Sequence, residues 1–193
     1  MGWIEFYHTI GKLKQEKRVG WLDRGVKDSE SVSDHSHRLC VMSLFFAKRL
    51  GLDECRAVKL AVVHDLPEAI CGDVATRVKE ELQKIPNREK REREEKALEE
   101  LCEMLGGKEA KELRELWLEF NEGKSKEARL VYELDRLEAI FQAIEYEKKG
   151  NFAVSLQEFY DFANARLELP AIREIFDKLM EERKKRLEKS AKH

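Results

Sequence analysis

The chain has 193 residues, of which 39% are charged and 42% are hydrophobic. Its 37 basic and 39 acidic side chains nearly cancel to a net charge of −2, so no overall field attracts a nucleic acid polymer or an anionic membrane. No apolar run approaches the roughly 20 residues of a transmembrane helix, and the N-terminal residues lack a signal-peptide core. The four cysteines include no CxxC pair, which argues against a zinc knuckle. We therefore expect a cytoplasmic protein that binds neither nucleic acid nor a membrane.

Long hydrophobic patterns with a period of 3.6 residues, together with only three prolines, predict an all-α fold. No repeat or linker divides the chain, so residues 1–193 are predicted to form one domain that is frayed from about residue 184. An exposed connection is expected at 74–89, and the pattern leaves open whether it closes over a substrate. The predicted helices lie at about 3–14, 34–50, 53–65, 87–105, 108–121 and 125–149, followed by an aromatic-rich helix and a helix from about 171.

The stretch AVVHDLPEAICGD, residues 61–73, places an imidazole beside a carboxylate directly after an apolar run. Such a pair is costly in an apolar setting unless something pairs with it. A divalent metal ion would satisfy this need, and so would a hydrogen-bonded pair at a helix terminus. Pro67 suits the first turn of a new short helix, and this break turns Glu68 toward the pair formed by His64 and Asp65.

Two more polar residues are predicted to face the core from other helices. His35 begins the apolar stripe of its helix, and Asp135 shares a stripe with small apolar residues, where an acid either pairs with an arginine or binds a metal ion. With His64 and Asp65 they supply nitrogen and oxygen ligands from three helices, a set that suits Mn, Fe, Co, Ni or Zn. A metal-bound water would serve as the nucleophile, and Glu68 is placed to hold or deprotonate that water.

Competing catalytic motifs are absent from the sequence. His64 is followed four residues later by Glu68 and not by a second histidine, so there is no HExxH zinc-protease helix. Neither a Gly-rich phosphate loop of the GxGxxG or GxxxxGK[ST] type nor a GxSxG serine-hydrolase elbow occurs. The sequence therefore favours a metal-activated water as its chemistry.

Three segments carry a family resemblance: ESVSDH at 30–35, VVHDLPEAICGD at 62–73 and LDRLEAIFQAIEYEKK at 134–149. In this order and spacing they resemble the HD-domain metal-dependent phosphohydrolases, in particular the 5′-deoxynucleotidase branch. The resemblance covers roughly residues 10–150 and implies a single-domain helical bundle. It also implies that deoxyribonucleoside 5′-monophosphates are cleaved to deoxynucleoside and phosphate, and that the protein forms a homodimer.

The resemblance also assigns roles to residues of this chain. It implies that one divalent metal ion (Mn, Co, Zn, Ni, Fe or Mg) is held by two histidines and two aspartates, and that two further carboxylates act around the attacking water and the phosphate. The implied metal ligands are His35, His64, Asp65 and Asp135, and the implied catalytic residues are Glu68 and Asp73.

Substrate-binding residues are expected upstream of the first ligand and beyond Asp73. In the bacterial branch an Arg-Trp pair contacts the substrate; Trp21 matches the tryptophan, but Gly20 precedes it here and the nearest arginine is Arg18. The resulting RxGW spacing resembles the HD-domain-containing protein 2 group. Arg18 is predicted to clamp the phosphate, and Trp21 either to stack on the base, to wall off the ribose or to anchor its loop. Arg77 and Lys79 are further candidate cations, or else solvated surface residues.

Three alternative functions remain open at this stage. The first is an HD phosphohydrolase that acts on a triphosphate, a cyclic nucleotide or an alarmone. The second is a two-iron oxidoreductase, which needs more histidine ligands than this chain offers, since two of its five histidines, His8 and His193, lie near the ends. The third is a non-catalytic helical scaffold that a metal ion stabilises.

Overall fold

The computed structural model of the protein describes residues 2–75 and 83–190. Within these ranges the regular elements are helices. One isolated antiparallel bridge pairs Lys17 with Ser31. The all-α prediction is therefore confirmed. None of the described helices has the length and apolar content needed to cross a bilayer. The α-helices, in chain order, are α1 (Trp3–Ile10), α2 (Val19–Leu22), α3 (Val32–Leu50), α4 (Glu54–Val63), α5 (Glu68–Cys71), α6 (Asn87–Leu105), α7 (Gly107–Glu122), α8 (Lys126–Lys149), α9 (Gln157–Asn164) and α10 (Pro170–Ser190).

Helix α8 is the central element of the bundle, and α3, α4, α7, α9 and α10 all pack against it. Leu130, Leu134 and Leu137 lie along its core-facing side and are fully buried. Truncating a buried leucine to alanine costs about 2–5 kcal/mol, so this stripe is a main source of stability. The same helix carries Asp135, which places a carboxylate among the core residues of the bundle.

Local signals define where the two histidine-bearing helices begin and end. Ser31 and Asp34 form a capping box: the Ser31 hydroxyl accepts from the Asp34 N–H at 3.1 Å, and the Asp34 carboxylate accepts from the Ser31 N–H at 2.8 Å. This places the start of α3 two residues earlier than the sequence predicts. At the start of α4, Asp53 caps the helix by accepting from the Arg56 N–H at 2.9 Å. Gly51, with a φ of 67°, separates the two helices.

The N-terminal part of the chain departs from the predicted single helix at 3–14. Helix α1 stops at Ile10, and Gly11–Lys14 continue as one 3-10 turn. The following segment, expected as a loop, contains α2. The carboxylate of Asp73 accepts a hydrogen bond from the Val19 N–H at 2.5 Å, and this acid at the first turn stabilises the short helix.

The C-terminal helix α10 continues to Ser190, beyond the point at about residue 184 where the sequence predicts fraying. Two arginines from this part of the helix pair with one acid on α8. Arg183 lies 2.8 Å and Arg186 lies 2.5 Å from the carboxylate of Glu147. These contacts tie the last turns of α10 to the bundle, which the charged sequence KKRLEKS alone does not suggest.

Candidate metal and substrate site

Two imidazoles meet where the start of α3 approaches the end of α4. The ring centroids of His35 and His64 lie 5.4 Å apart. The Nδ1 of His64 donates to the carbonyl of Ala61 at 2.8 Å, and the Nδ1 of His35 lies 2.5 Å from the Glu138 carboxylate. A carbonyl or carboxylate oxygen accepts, so both Nδ1 atoms carry protons and each Nε2 is the nitrogen available for a ligand. Both Nε2 atoms are buried and make no hydrogen bond.

Two carboxylates face these nitrogens. The Asp135 carboxylate lies 3.1 Å from the Nε2 of His35, and the Asp65 carboxylate lies 2.9 Å from the Nε2 of His64 and 4.0 Å from that of His35. The ligand atoms of His35, His64 and Asp135 all lie within 4.8 Å of one another. Nitrogen lone pairs that face carboxylates repel unless a proton or a cation lies between them, and this donor set fits a divalent metal ion.

The pKa shifts of these groups express the same demand for positive charge. Burial and Arg18 lower the pKa of His35, but Glu138 and Asp135 outweigh them and raise it to about 10. Burial raises the pKa of Asp135, yet the close contact with His35 and its charge bring it well below its usual range. The pKa of Asp65 is lowered in the same way: burial raises it, but His64 and Arg18 outweigh burial. These four residues therefore favour a cation between them, either a proton on His35 or a bound metal ion.

A second layer of charged residues holds His35 from behind. Glu138 is fully buried, and its other carboxylate oxygen accepts from the Nε of Arg38 at 2.7 Å. Arg38 also donates to Glu145 at 2.8 Å and to Gln142. Such outer partners fix the tautomer and orientation of a ligating histidine. Neither residue was predicted from the sequence, although Arg38 lies three residues after His35 and Glu138 three after Asp135, on the same helix faces.

One pocket joins this cluster to a set of cationic and aromatic side chains. Its lining combines carboxylates, basic side chains and apolar side chains of α9. The lining residues are Arg18, Gly20, Trp21, Asp65, Glu68, Asp73, Val74, Ala75, Lys90, Asp135, Arg136, Ala139, Glu158, Phe159, Phe162 and Ala163.

Glu68, the first residue of α5, points into this pocket from a buried position. Its side chain is 4% exposed, and one of its carboxylate oxygens has no hydrogen-bond partner. Burial, followed by the charges of Asp65 and Asp73, raises the pKa of Glu68 well above its usual range. A carboxyl group with a raised pKa can exchange a proton near neutral pH, as a general acid or base must.

Asp73 and Arg18 lie at the same edge of the pocket. The Asp73 carboxylate holds the first turn of α2, and its N–H donates to the Glu16 carboxylate at 3.2 Å. Arg18 directly precedes α2, and its guanidinium lies 3.5 Å from the Asp65 carboxylate. Burial lowers the pKa of Arg18, but Asp73, Asp135 and Asp65 raise it further, so the group keeps its charge. The contacts of Asp73 thus position Arg18 beside the metal cluster.

Trp21 is a wall of the pocket. Its ring is 1% exposed and stacks on Phe159 at a centroid distance of 3.9 Å, while its Nε1 donates to Glu30 at 2.8 Å. Phe159 thus covers one face of the ring. Gly20 explains how Phe159 comes so close, because a Cβ at this position would lie 3.2 Å from the Phe159 ring.

Other predicted and unpredicted residues complete the inventory of the site. Arg77 and Lys79 lie outside the described residues, as does the middle of the connection predicted at 74–89. Lys90 lies within a run of charged residues on α6, yet its side chain lines the pocket. Phe162 and Arg136 were also missed; their side chains meet across 5.7 Å from guanidinium to ring centroid.

The comparisons with known proteins agree with this geometry. The sequence model of a family described as "HD domain" matches residues 10–189. The chain is similar to 5′-deoxynucleotidase HDDC2 of Bos taurus, with 41% identity over 93% of this chain and 85% of the relative. It is likewise similar to 5′-deoxynucleotidase HDDC2 of Homo sapiens, with 40% identity over 93% of this chain and 85% of the relative.

Solved structures from archaea share the fold. A conserved hypothetical protein from Pyrococcus furiosus superposes with a TM-score of 0.75 at 35% identity, over 93% of this chain and 99% of the other. The PH0347 protein from Pyrococcus horikoshii superposes with a TM-score of 0.74 at 32% identity, over 92% of this chain and 98% of the other. These matches span nearly the whole length of both proteins.

Proposed function

Because the chain belongs to the HD-domain family, we propose that it is a metal-dependent 5′-deoxynucleotidase. It hydrolyses deoxyribonucleoside 5′-monophosphates to deoxynucleoside and inorganic phosphate. The observation that carries this proposal is one pocket that Arg18 and Glu68 line together with two carboxylates of the candidate metal site. These carboxylates belong to Asp65 and Asp135, which contact the Nε2 atoms of His64 and His35. Relatives named 5′-deoxynucleotidase support the substrate class.

The metal site in this proposal consists of His35, His64, Asp65 and Asp135. Two neutral imidazoles and two carboxylates neutralise one divalent ion, which is Mn, Co, Zn, Ni, Fe or Mg. When bound, such an ion supplies a Lewis acid for the phosphoryl oxygens and lowers the pKa of a water ligand. The two Nδ1 contacts described above keep both rings in the tautomer that ligation requires.

Glu68 is proposed as the proton acceptor for the attacking water. It lines the pocket and has one carboxylate oxygen without a hydrogen-bond partner, and its raised pKa suits proton exchange at neutral pH. The phosphate is proposed to lie near Glu68 and Asp73, and Asp73 acts there by holding the Val19 N–H and so positioning Arg18 toward the phosphate. A phosphate monoester carries about two negative charges at pH 7, so Arg18 is proposed to bind its oxygens.

The nucleoside end of the substrate is assigned to the aromatic wall. Trp21, Phe159 and Phe162 line this side of the pocket, together with Ala139 and Ala163. An apolar wall offers no partner to a 2′-hydroxyl, and burying an unpaired hydroxyl is unfavourable. This is the physical basis we propose for a 2′-deoxy preference. The homodimer and the cytoplasmic location stay predictions from the sequence and the resemblance.

The second metal site of a two-iron oxidoreductase finds little support among the described residues. Apart from the proposed site, they contain one other group of suitable side chains, formed by Glu30, His35 and Glu138. It shares His35 with the first site, and its carboxylates already accept from Trp21 and Arg38.

A phosphate-release screen tests the proposal. Deoxy- and ribonucleoside monophosphates, cyclic nucleotides and triphosphates are incubated with the protein and Mn, Co, Mg or Zn, with Asp65→Ala as the blank. We expect release from deoxyribonucleoside monophosphates above all others. Turnover of triphosphates or cyclic nucleotides without turnover of monophosphates would contradict it. A chelator distinguishes the enzyme from a non-catalytic scaffold. Removing the metal ion should lower the melting temperature of a scaffold that has no activity, whereas the enzyme should lose turnover.

A further inference from the structure

One lysine of α6 is oriented differently from its charged neighbours. Arg88, Arg91 and Arg93 are exposed and pair with glutamates along the helix surface. The side chain of Lys90 is 21% exposed, and it lines the pocket beside Asp65, Glu68 and Asp73. Its ammonium group donates to the Val74 carbonyl at 3.0 Å and lies 3.5 Å from the Glu94 carboxylate.

We propose that Lys90 is a substrate-binding residue whose ammonium group contacts the phosphoryl group of the substrate and the inorganic phosphate product. The inference rests on the proposed hydrolysis of nucleoside monophosphates and adds a second phosphate-binding cation to the site. It places the residue in the part of the pocket that contains the carboxylates of Asp65, Glu68 and Asp73.

The negative charge of the pocket favours a second phosphate-binding cation. Four carboxyl groups line it near the metal cluster, and a phosphate monoester adds about two negative charges at pH 7. Arg18 faces Asp65 at 3.5 Å. Arg136 stacks on the Tyr132 ring, 3.2 Å from its centroid, and pairs with Asp135. Among the cations described in this pocket, Lys90 is thus the one best placed to supply positive charge from the side of α6.

The Lys90 ammonium group has more hydrogen-bond donors than its protein partners use. A lysine has three N–H donors, and Val74 and Glu94 account for two of them. Burial lowers the pKa of Lys90, but Glu94, Glu68 and Asp65 raise it overall, so the group stays charged. The third donor is left for a ligand in a pocket that Lys90 itself lines. A charged donor of this kind is strong when its partner is an anion.

A purely structural role is the alternative to be separated. Through the Val74 carbonyl, Lys90 also holds the residue next to Asp73. If this were its whole function, replacing it would disturb the pocket for every ligand alike. Phosphate and deoxynucleoside are both products of the proposed reaction, so their inhibition constants report on the two ends of the pocket independently.

The test compares Lys90→Met, which keeps the apolar stem, with Lys90→Arg and with Lys96→Met, an exposed lysine on the same helix. Inhibition constants for inorganic phosphate and for deoxynucleoside are measured on metal-saturated enzyme. Losing a charged hydrogen bond predicts that Lys90→Met raises the phosphate constant about tenfold to hundredfold. The deoxynucleoside constant stays unchanged, Lys90→Arg retains most phosphate binding, and Lys96→Met matches the wild type.

Two results would overturn the inference: an unchanged phosphate constant in Lys90→Met, or a parallel rise of both constants. Should Lys90→Met not fold, Lys90→Gln is judged by the same criteria. The shift in melting temperature that inorganic phosphate causes is recorded for each variant without any turnover. If the wild type hydrolyses no monophosphate, the proposed function fails, while this shift still decides whether phosphate binds through Lys90.

Discussion

The candidate metal site, with its ligands and their outer partners, and the first half of α6 both contain many charged residues. The two regions differ in where these charges lie. In the cluster, His35 and Glu138 are fully buried, and their partners come from helices about a hundred residues apart. On α6, Arg88 and Glu92 pair across one helical turn with the arginine side chain 90% exposed. The same residue types thus form a long-range buried network in one place and a local solvated surface in the other.

The difference in burial decides what each region contributes. An exposed pair gains about 0.2–1 kcal/mol, whereas removing one partner of a buried pair costs about 3–5 kcal/mol. Buried charges are therefore expected where they serve a function. Here they lie around the Nε2 atoms of His35 and His64. Lys90 belongs to α6 by sequence but to the pocket by burial, so it is the residue where the two regions meet.

Removing a ligand from the cluster is expected to have the largest effect. His64→Ala and Asp65→Ala should each lose the bound metal ion and reduce phosphate release to the level of a reaction without enzyme. Metal content of the purified protein and turnover of deoxyribonucleoside monophosphates measure this. His37→Ala, an exposed histidine on α3, is the control and should keep both. Full turnover by Asp65→Ala would show that the site assignment is wrong.

Removing Glu68 tests whether a buried acid in the same region works on the proton and not on the metal ion. Glu68→Gln keeps the shape of the side chain but has no carboxylate to accept a proton. We expect it to retain the metal ion and to lose about 10²–10⁴-fold in kcat. Steady-state kinetics and metal analysis of one preparation separate the two effects. Wild-type kcat in this variant would remove Glu68 from the proton transfer.

The candidate metal site was partly predictable from the sequence because His35 and Asp135 stand at inward positions of helices and His64 directly follows one. Periodicity places His35, His64 and Asp135 on inward faces, and one capping box and one proline break locate the turns around them. The outer partners were harder: Arg38 and Glu138 share those faces, but an i+3 spacing is common and does not say which pairs meet across helices. Only the packing of α3 on α8 brings them together.

The pocket walls lay further beyond the reach of sequence reasoning. A uniform charge run on α6 contains no signal for which residue turns inward, because that depends on how α6 packs against α5. Trp21 was recognised as a pocket residue, but its stacking partner Phe159 lies far along the chain on α9. Local patterns predict helices and faces well, whereas contacts between distant elements require the assembled structure.

Weakening the outer layer of the cluster should have an intermediate effect. Glu138→Gln removes the charge that holds the Nδ1 of His35, and losing such a partner typically lowers metal affinity about tenfold to hundredfold. Metal titration of the apo protein measures the affinity directly. Glu145→Gln is a matched control, since Glu145 also pairs with Arg38 but lies at the surface. Equal affinities for Glu138→Gln and the control would contradict a positioning role for Glu138.

Breaking an exposed pair on α6 should have the smallest effect and so defines the other end of the comparison. Arg91 lies 2.8 Å from the Glu95 carboxylate on the surface. Arg91→Ala is expected to change the free energy of unfolding by less than about 0.5 kcal/mol, because an exposed i,i+4 pair contributes about 0.3–0.5 kcal/mol and alanine favours the helix. Denaturant unfolding with and without 1 M salt measures this, and salt should remove any electrostatic part of the difference.

Metal content and turnover should equal those of the wild type. A loss of turnover in Arg91→Ala would mean that the charged surface of α6 contributes to the site through more than Lys90, and that the two regions are not separable.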